Sequence, residues 1–343
     1  MERNRKWRWG VNRWFILLFI ILGFIAARAY PPILPHIQLP AERYSHDPLF
    51  SLPVIGDFFW TNTLTAMLIA DAILILIALM VRRAVASGSL VPKGLSGAIE
   101  ALLEVIYNLT ESTAGRWART IFPYFATITL LVLVVNWTEL IPGVDSIGIL
   151  EPVDHHGYPV QEIGPRLATI VKNDAEHSEE AQGGFALIPY VRVLSTDLNF
   201  TVALALISVF MTQVIGLRAI GPGYLQKFFN VGGVFNRPIF GLIDFGVGLL
   251  ELISEISKIL SFSFRLFGNI FAGTVLLFVI GTLVPVFAQS IFLMLEFFVG
   301  LIQAVVFGML TMVFMAQATQ GHGEHAKHVD EHEEEMPLEG VTV

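Results

Sequence analysis

The sequence predicts an all-α polytopic membrane protein, and three observations carry that prediction. Apolar residues make up 54% of the 343 positions and charged residues only 15%, against roughly 25% charged in soluble domains. Apolar segments long enough to cross a bilayer recur along the chain. One of them carries an ionisable residue, Arg265, far from either end.

A bilayer core of about 30 Å takes about 20 apolar residues per helix. Six segments qualify as candidates: 14–29, 61–81, 120–141, 200–217, 239–283 and 284–318. The last two are too long for single upright spans. They must be tilted, broken or laid partly along the membrane, with Pro285 as the turn between them.

The first segment follows Arg3, Arg5, Lys6, Arg8 and Arg13 and ends in Ala27-Arg28-Ala29. That is the layout of a cleaved secretory signal or of a retained signal anchor. Its basic flank places the amino terminus in the cytoplasm. The second segment ends at Arg82-Arg83, which is also cytoplasmic by charge, so 84–119 is a cytoplasmic connection. Residues 94–112 within it read as an amphipathic helix on the membrane surface. The long polar insertion 143–196 carries Arg166, Lys172 and Arg192 against more numerous acids, which suits the outer face. The connection 218–237 holds Arg218, Lys227 and Arg237 with no acid, which suits the cytoplasm. This leaves 1–58 as a basic terminus, anchor-like helix and outer linker, 59–319 as the membrane domain, and 320–343 as an acidic, histidine-rich tail expected to be disordered.

Composition also excludes classes of function. The chain has no cysteine, which removes disulfides, zinc–thiolate sites and cysteine nucleophiles. Its formal charge of −8 comes from short acidic stretches and gives no basic surface for nucleic acid. No Gly-x-x-x-x-Gly-Lys-Ser/Thr loop occurs, so there is no nucleotide site of that kind. No cofactor is expected. The tail residues His322, His325, His328 and His332, and Asp154-His155-His156 in the insertion, could bind a metal, but solvated histidines usually stay unliganded. Asp71, inside the second segment, reads as a water-facing or hydrogen-bonded structural acid.

Arginine at mid-helix in hydrocarbon costs about 2.5–3.5 kcal/mol on insertion scales, so Arg265 is a functional candidate by default. At about 100° per residue, Glu251, Ser254, Lys258, Ser261, Asn269 and Ala272 fall within roughly 40° of it. The result is a polar stripe about 30 Å long, which needs an aqueous cavity or a polar partner. The final segment offers a thinner stripe of Glu296 and Gln303 beside Gly300, Ala304 and Gly308. A hairpin about Pro285 brings the two together and would set Gln303 opposite Arg265. The simpler alternatives are a fixed ion pair between Arg265 and Glu296, an inter-helix hydrogen bond at Gln303, and an interfacial placement of Glu251, Ser254 and Lys258.

The segment Ser-Phe-Arg-Leu-Phe-Gly-Asn-Ile-Phe-Ala-Gly at 263–273 resembles the signature of subunit a in the membrane (Fo) sector of F-type ATP synthases. Further matches stand in the family order: Val-Pro-Lys-Gly-Leu-Ser-Gly-Ala-Ile-Glu at 91–100, Asn-Trp-Thr-Glu-Leu-Ile-Pro at 136–142, Ser-Thr-Asp-Leu-Asn-Phe-Thr at 195–201 and Leu-Ile-Gln-Ala-Val at 301–305. The resemblance runs from residue 59 to 318. It implies five family helices including a long tilted hairpin, with the segment 14–29 as an addition. It implies a non-catalytic stator that conducts protons against a c-subunit ring, with peripheral stalk b subunits and the rest of the synthase as partners, in a bacterial plasma membrane with both termini cytoplasmic.

On that resemblance Arg265 faces the ring carboxylates as an electrostatic gate. A guanidinium keeps its charge in a protein, so this residue cannot itself relay a proton. Asn269 and Gln303 would flank it. Glu251 and Ser254 would line the inner half-channel, and Asp197, Asn199 and Glu296 the outer one. Some relatives pair the Glu296 position with a second titratable group where Thr274 stands here, and threonine cannot serve as one. A secondary transporter would instead show internal repeats, an ion channel could use an intramembrane arginine in its own way, and a plain membrane anchor has no use for the stripe.

Overall fold

A computed structural model describes residues 9–29, 40–45, 47–53, 56–86, 94–141, 143–153, 157–165, 167–171, 184–228, 238–284 and 287–320. The basic residues at 3–8, the start of the 91–100 motif, Asp154-His155-His156, Pro285 and the histidine-rich tail lie outside the described residues. Helices dominate: α1 (Trp9–Ala29), α2 (Asn62–Ala86), α3 (Leu95–Ala114), α4 (Ala118–Trp137), α5 (Leu198–Ile220), α6 (Pro238–Leu283) and α7 (Phe287–Ala318). Five of the described helical stretches are long and apolar enough to cross a membrane. The protein is an all-α polytopic membrane protein.

Local chemistry explains the boundaries. Thr61 opens α2 by accepting the Leu64 N–H on its Oγ1 at 3.3 Å. Gly115, at φ 50°, stops α3 in the left-handed conformation that glycine tolerates best. The helix α6 runs 46 residues without interruption, about 69 Å of axis at 1.5 Å per residue. Of the three ways to fit so long a segment, a break is therefore ruled out, and an upright span of a 30 Å core is geometrically excluded.

The chain divides into two compact units, which share α2, α4, α6 and α7 between them. In the unit made of Ile75–Leu131, Asn199–Leu266 and Ala304–Val343, a core of Ile106, Ile121, Phe125, Ile215, Met312 and Met315 is almost fully buried. The helix α3 joins it through Ile106, with Leu102, Leu103 and Leu109 packed alongside, while Glu100, Glu104 and Glu111 stay exposed, so the helix is amphipathic. Close approach of α4 and α7 depends on Gly308, where an added Cβ would come within 2.9 Å of the Phe125 ring. Ser208 and Thr311 share a hydrogen bond at 2.6 Å across α5 and α7.

The other unit, Met1–Leu74, Val132–Leu198 and Phe267–Gln303, contains short strands that hydropathy did not anticipate. They are β1 (Phe50–Leu52), β2 (Gly56–Phe58), β3 (Gly148–Val153), β4 (Val160–Gly164), β5 (Leu167–Ile170) and β6 (Gly184–Pro189). They pair antiparallel as β1–β2, β3–β6 and β4–β5, with Gly148 opposite Pro189 and Phe50 opposite Phe58. Segment 40–62 is fastened to this layer. Its two ends are tied to each other, Asn62 donating Nδ2 to Glu42 Oε2 at 3.0 Å and Glu42 its backbone N–H to Asn62 Oδ1 at 3.2 Å. Arg192 donates Nη1 to the Pro40 carbonyl at 3.0 Å, and the Tyr44 hydroxyl donates to the Tyr190 carbonyl. Arg43 lies 3.9 Å from the centre of the Phe59 ring, a cation–π contact.

Candidate functional site

In the unit that holds its first half, α6 presents Ser254 and Ser261 at its surface and Arg265 half-buried among them. Phe262 and Leu266, about 60° and 100° round the helix from Arg265, form the buried side, with the Phe262 ring 5.2 Å from Phe307 and 5.6 Å from Phe314. The hydrophobic face thus fixes the rotation of α6 and turns the polar stripe outward. Arg265 donates Nη2 to Ser261 Oγ at 3.4 Å, a long contact one turn earlier. Among the described residues no carboxylate forms an ion pair with it. At the start of the stripe Glu251 meets Lys227 at 2.6 Å, so this candidate for the inner path already holds a cation.

In the unit that holds its second half, Asn269 donates Nδ2 to Gln303 Oε1 at 2.7 Å. Gln303 is 4% exposed and its Nε2 has no protein partner. The sequence reading set Gln303 against Arg265, but its hydrogen-bond partner is one turn further along α6. The contacts 269–303, 273–296 and 281–289 centre the hairpin near residue 285 rather than 284.

Glu296 is buried on α7 against Gly273 of α6, where an added Cβ would stand 2.6 Å from its Oε1. That same oxygen has no hydrogen-bond partner in the protein. Beside it lies an acid that sequence reasoning missed. Glu139, in the short 3₁₀ turn Thr138–Leu140 after α4, lies against the Thr274 hydroxyl and within electrostatic reach of Glu296 and Asp145. Its two carboxylate oxygens are buried without a well-formed hydrogen bond, while Thr274 itself donates to the Ile270 carbonyl at 3.0 Å. The signal was available: an ionisable residue three positions before Pro142, at the end of an apolar helix.

A buried polar chain flanks this pair of acids. Ser195 donates Oγ to Asn136 Oδ1 at 2.6 Å, and Asn136 donates Nδ2 to the Gly300 carbonyl at 3.1 Å. Asp197 is 5% exposed just before α5, and Asn199 lies at the surface in its first turn. Near the strands, burial pushes the Asp145 carboxyl up to about 6, with the Arg192 guanidinium opposing the shift. Among the described residues no group of three or more acids and histidines could hold a metal ion.

A family model described as ATP synthase A chain matches residues 64–316. The chain belongs to that family. Similar proteins carry the name ATP synthase subunit a. The one from Geobacter sulfurreducens is 28% identical over 203 residues, covering 57% of this chain and 65% of its own. The one from Campylobacter curvus is 29% identical over 194 residues, covering 56% and 62%. The one from Pseudoalteromonas atlantica is 26% identical over 215 residues, covering 62% and 70%. The match to the first of these spans a little under two thirds of that relative's length. The ATP synthase A chain match contains α6 and nearly all of α2 and α7; α1 lies outside it.

Proposed function

We propose that this chain is the stator subunit of a rotary ATP synthase in a bacterial plasma membrane, with both termini cytoplasmic. Residues 59–319 form two offset proton half-channels against a ring of c subunits. Proton passage turns the ring and drives ATP synthesis in partner subunits, with b subunits as the peripheral stalk. The chain carries out no covalent step itself.

The observation that supports this most is the state of Arg265. It is a permanent cation on a surface stripe of an apolar helix, with one long contact to Ser261 and no ionic partner among the described residues. Such a group lowers its energy when an outside carboxylate meets it. A protonated ring carboxyl that nears Arg265 gives its proton to the adjoining aqueous path, and the carboxylate so formed is attracted to the cation and carries no proton straight across. Glu251 and Ser254 line the inner path. Asp197, Asn199 and Glu296 line the outer one, and Asn269 and Gln303 shape the contact face. Glu139 supplies the second titratable group that Thr274 cannot, since it lies beside both Thr274 and Glu296.

Two measurements test this. The chain should co-purify with an oligomeric c ring and stalk subunits; transport by an isolated monomer or homodimer would instead indicate a self-sufficient transporter or channel. Arg265→Ala should abolish proton-driven ATP synthesis while membrane insertion and assembly persist, and undiminished synthesis would refute the gate.

A further inference from the structure

The stripe on α6 carries a second cation. Lys258 precedes Arg265 by seven residues, which places it within about 20° of the same face and about 10 Å along the axis. A mobile carboxylate passing the stripe would meet two attractive charges, and two resting points would oppose free rotation.

The surroundings of the two cations differ. Lys258 Nζ lies 2.9 Å from Glu255 Oε1 and 4.8 Å from the centre of the Phe314 ring. Glu255 sits about 80° round the helix from Arg265, on the side that buries Phe262 and Leu266, and is itself only 6% exposed. It therefore draws the ammonium group off the open side of the stripe toward the interior. A further pair completes the balance: Lys227 reaches Glu251 at 2.6 Å and Glu255 at 3.6 Å. Lys227, Lys258, Glu251 and Glu255 together carry no net charge. Among the described residues, Arg265 has the Ser261 hydroxyl, at 3.4 Å, and no ion pair.

We propose that Glu255 is a positioning residue that neutralises Lys258, leaving Arg265 as the single uncompensated cation that the stripe presents. This rests on the reading of Arg265 as the gate. The sequence alone does not suggest it, because Glu255 lies off the stripe and its second partner, Lys227, comes from the preceding loop.

The test is ATP-driven proton pumping by the assembled complex in inverted vesicles, normalised to assembled complex. Glu255→Gln should lower pumping about tenfold, because removing one partner of a buried pair strands the other charge. Lys258→Gln should cost about twofold, and the double variant should return to the Lys258→Gln rate, as pairwise coupling requires. A double variant as slow as Glu255→Gln, or Glu255→Gln at full rate, overturns the proposal. If Glu255→Gln does not accumulate, the other two variants decide: equal pumping supports the proposal, and a loss specific to the double overturns it. Arg265→Ala in the same vesicles separates the two readings. Pumping by that variant refutes the gate itself, whereas a silent Arg265→Ala with failed rescue refutes only the role of Glu255.

Discussion

Asn269 donates its side-chain amide to Gln303 at 2.7 Å, joining the two arms of the α6–α7 hairpin one turn beyond Arg265. Gln303→Leu removes the acceptor of this part-buried bond, at a cost of about 0.5–1.5 kcal/mol. Proton-driven ATP synthesis should fall about three- to tenfold with assembly retained. Complete loss of assembled complex on a native gel would show instead that the bond is a structural bridge between helices.

Glu139 should behave as part of the proton path. Glu139→Gln keeps size and polarity but removes titration, so synthesis should slow about a hundredfold or more, the scale on which acid–base groups contribute to proton transfer. Glu139→Asp should recover part of the rate. Equal rates for wild type and Glu139→Gln in reconstituted vesicles would remove the residue from the path.

Gly273 matters for the space it leaves. Alanine there would put a Cβ 2.6 Å from Glu296 Oε1, so the carboxylate must shift. Overpacking of this kind costs about 1–3 kcal/mol. Gly273→Ala should therefore slow synthesis more than it lowers the thermal midpoint of the complex, because the displaced group is Glu296. A midpoint loss with normal specific activity would argue against that.

The outer layer should respond to pH through Asp145, and through Glu42, which burial also raises against the opposing effects of Arg192 and Asn62. A carboxyl raised in the folded state binds its proton more tightly there than in the unfolded chain. Its stabilising effect is complete below the ordinary value of 3.8 and is lost as pH rises through about 6. Thermal midpoints should thus decline across that window, and Asp145→Asn should flatten the decline. An unchanged slope in that variant would assign the effect elsewhere.

The helices were legible because a bilayer demands length and apolarity, and Arg265 stood out because a charge inside such a helix is costly. The outer strands were not legible: Gly148–Val153 and Gly184–Pro189 are short and contain glycine or proline, and each needs a distant partner to be a strand at all. Glu296 and Gln303 could be placed on one face by helical spacing, but the turns of α6 they meet are fixed by contacts at Gly273 and Asn269. Glu139 and Glu255 escaped because each acquires its meaning from a neighbour on another element, Glu296 for one and Lys227 for the other.

The fastening of segment 40–62 to the outer layer has a mechanical meaning. A stator must bear the reaction torque of whatever turns against it. Pull exerted on the chain before α2 reaches the contacts to Arg192 and Tyr190 before it reaches the helix. Those contacts act as a strain relief, like the clip that keeps a tug on a cable from reaching the soldered joint.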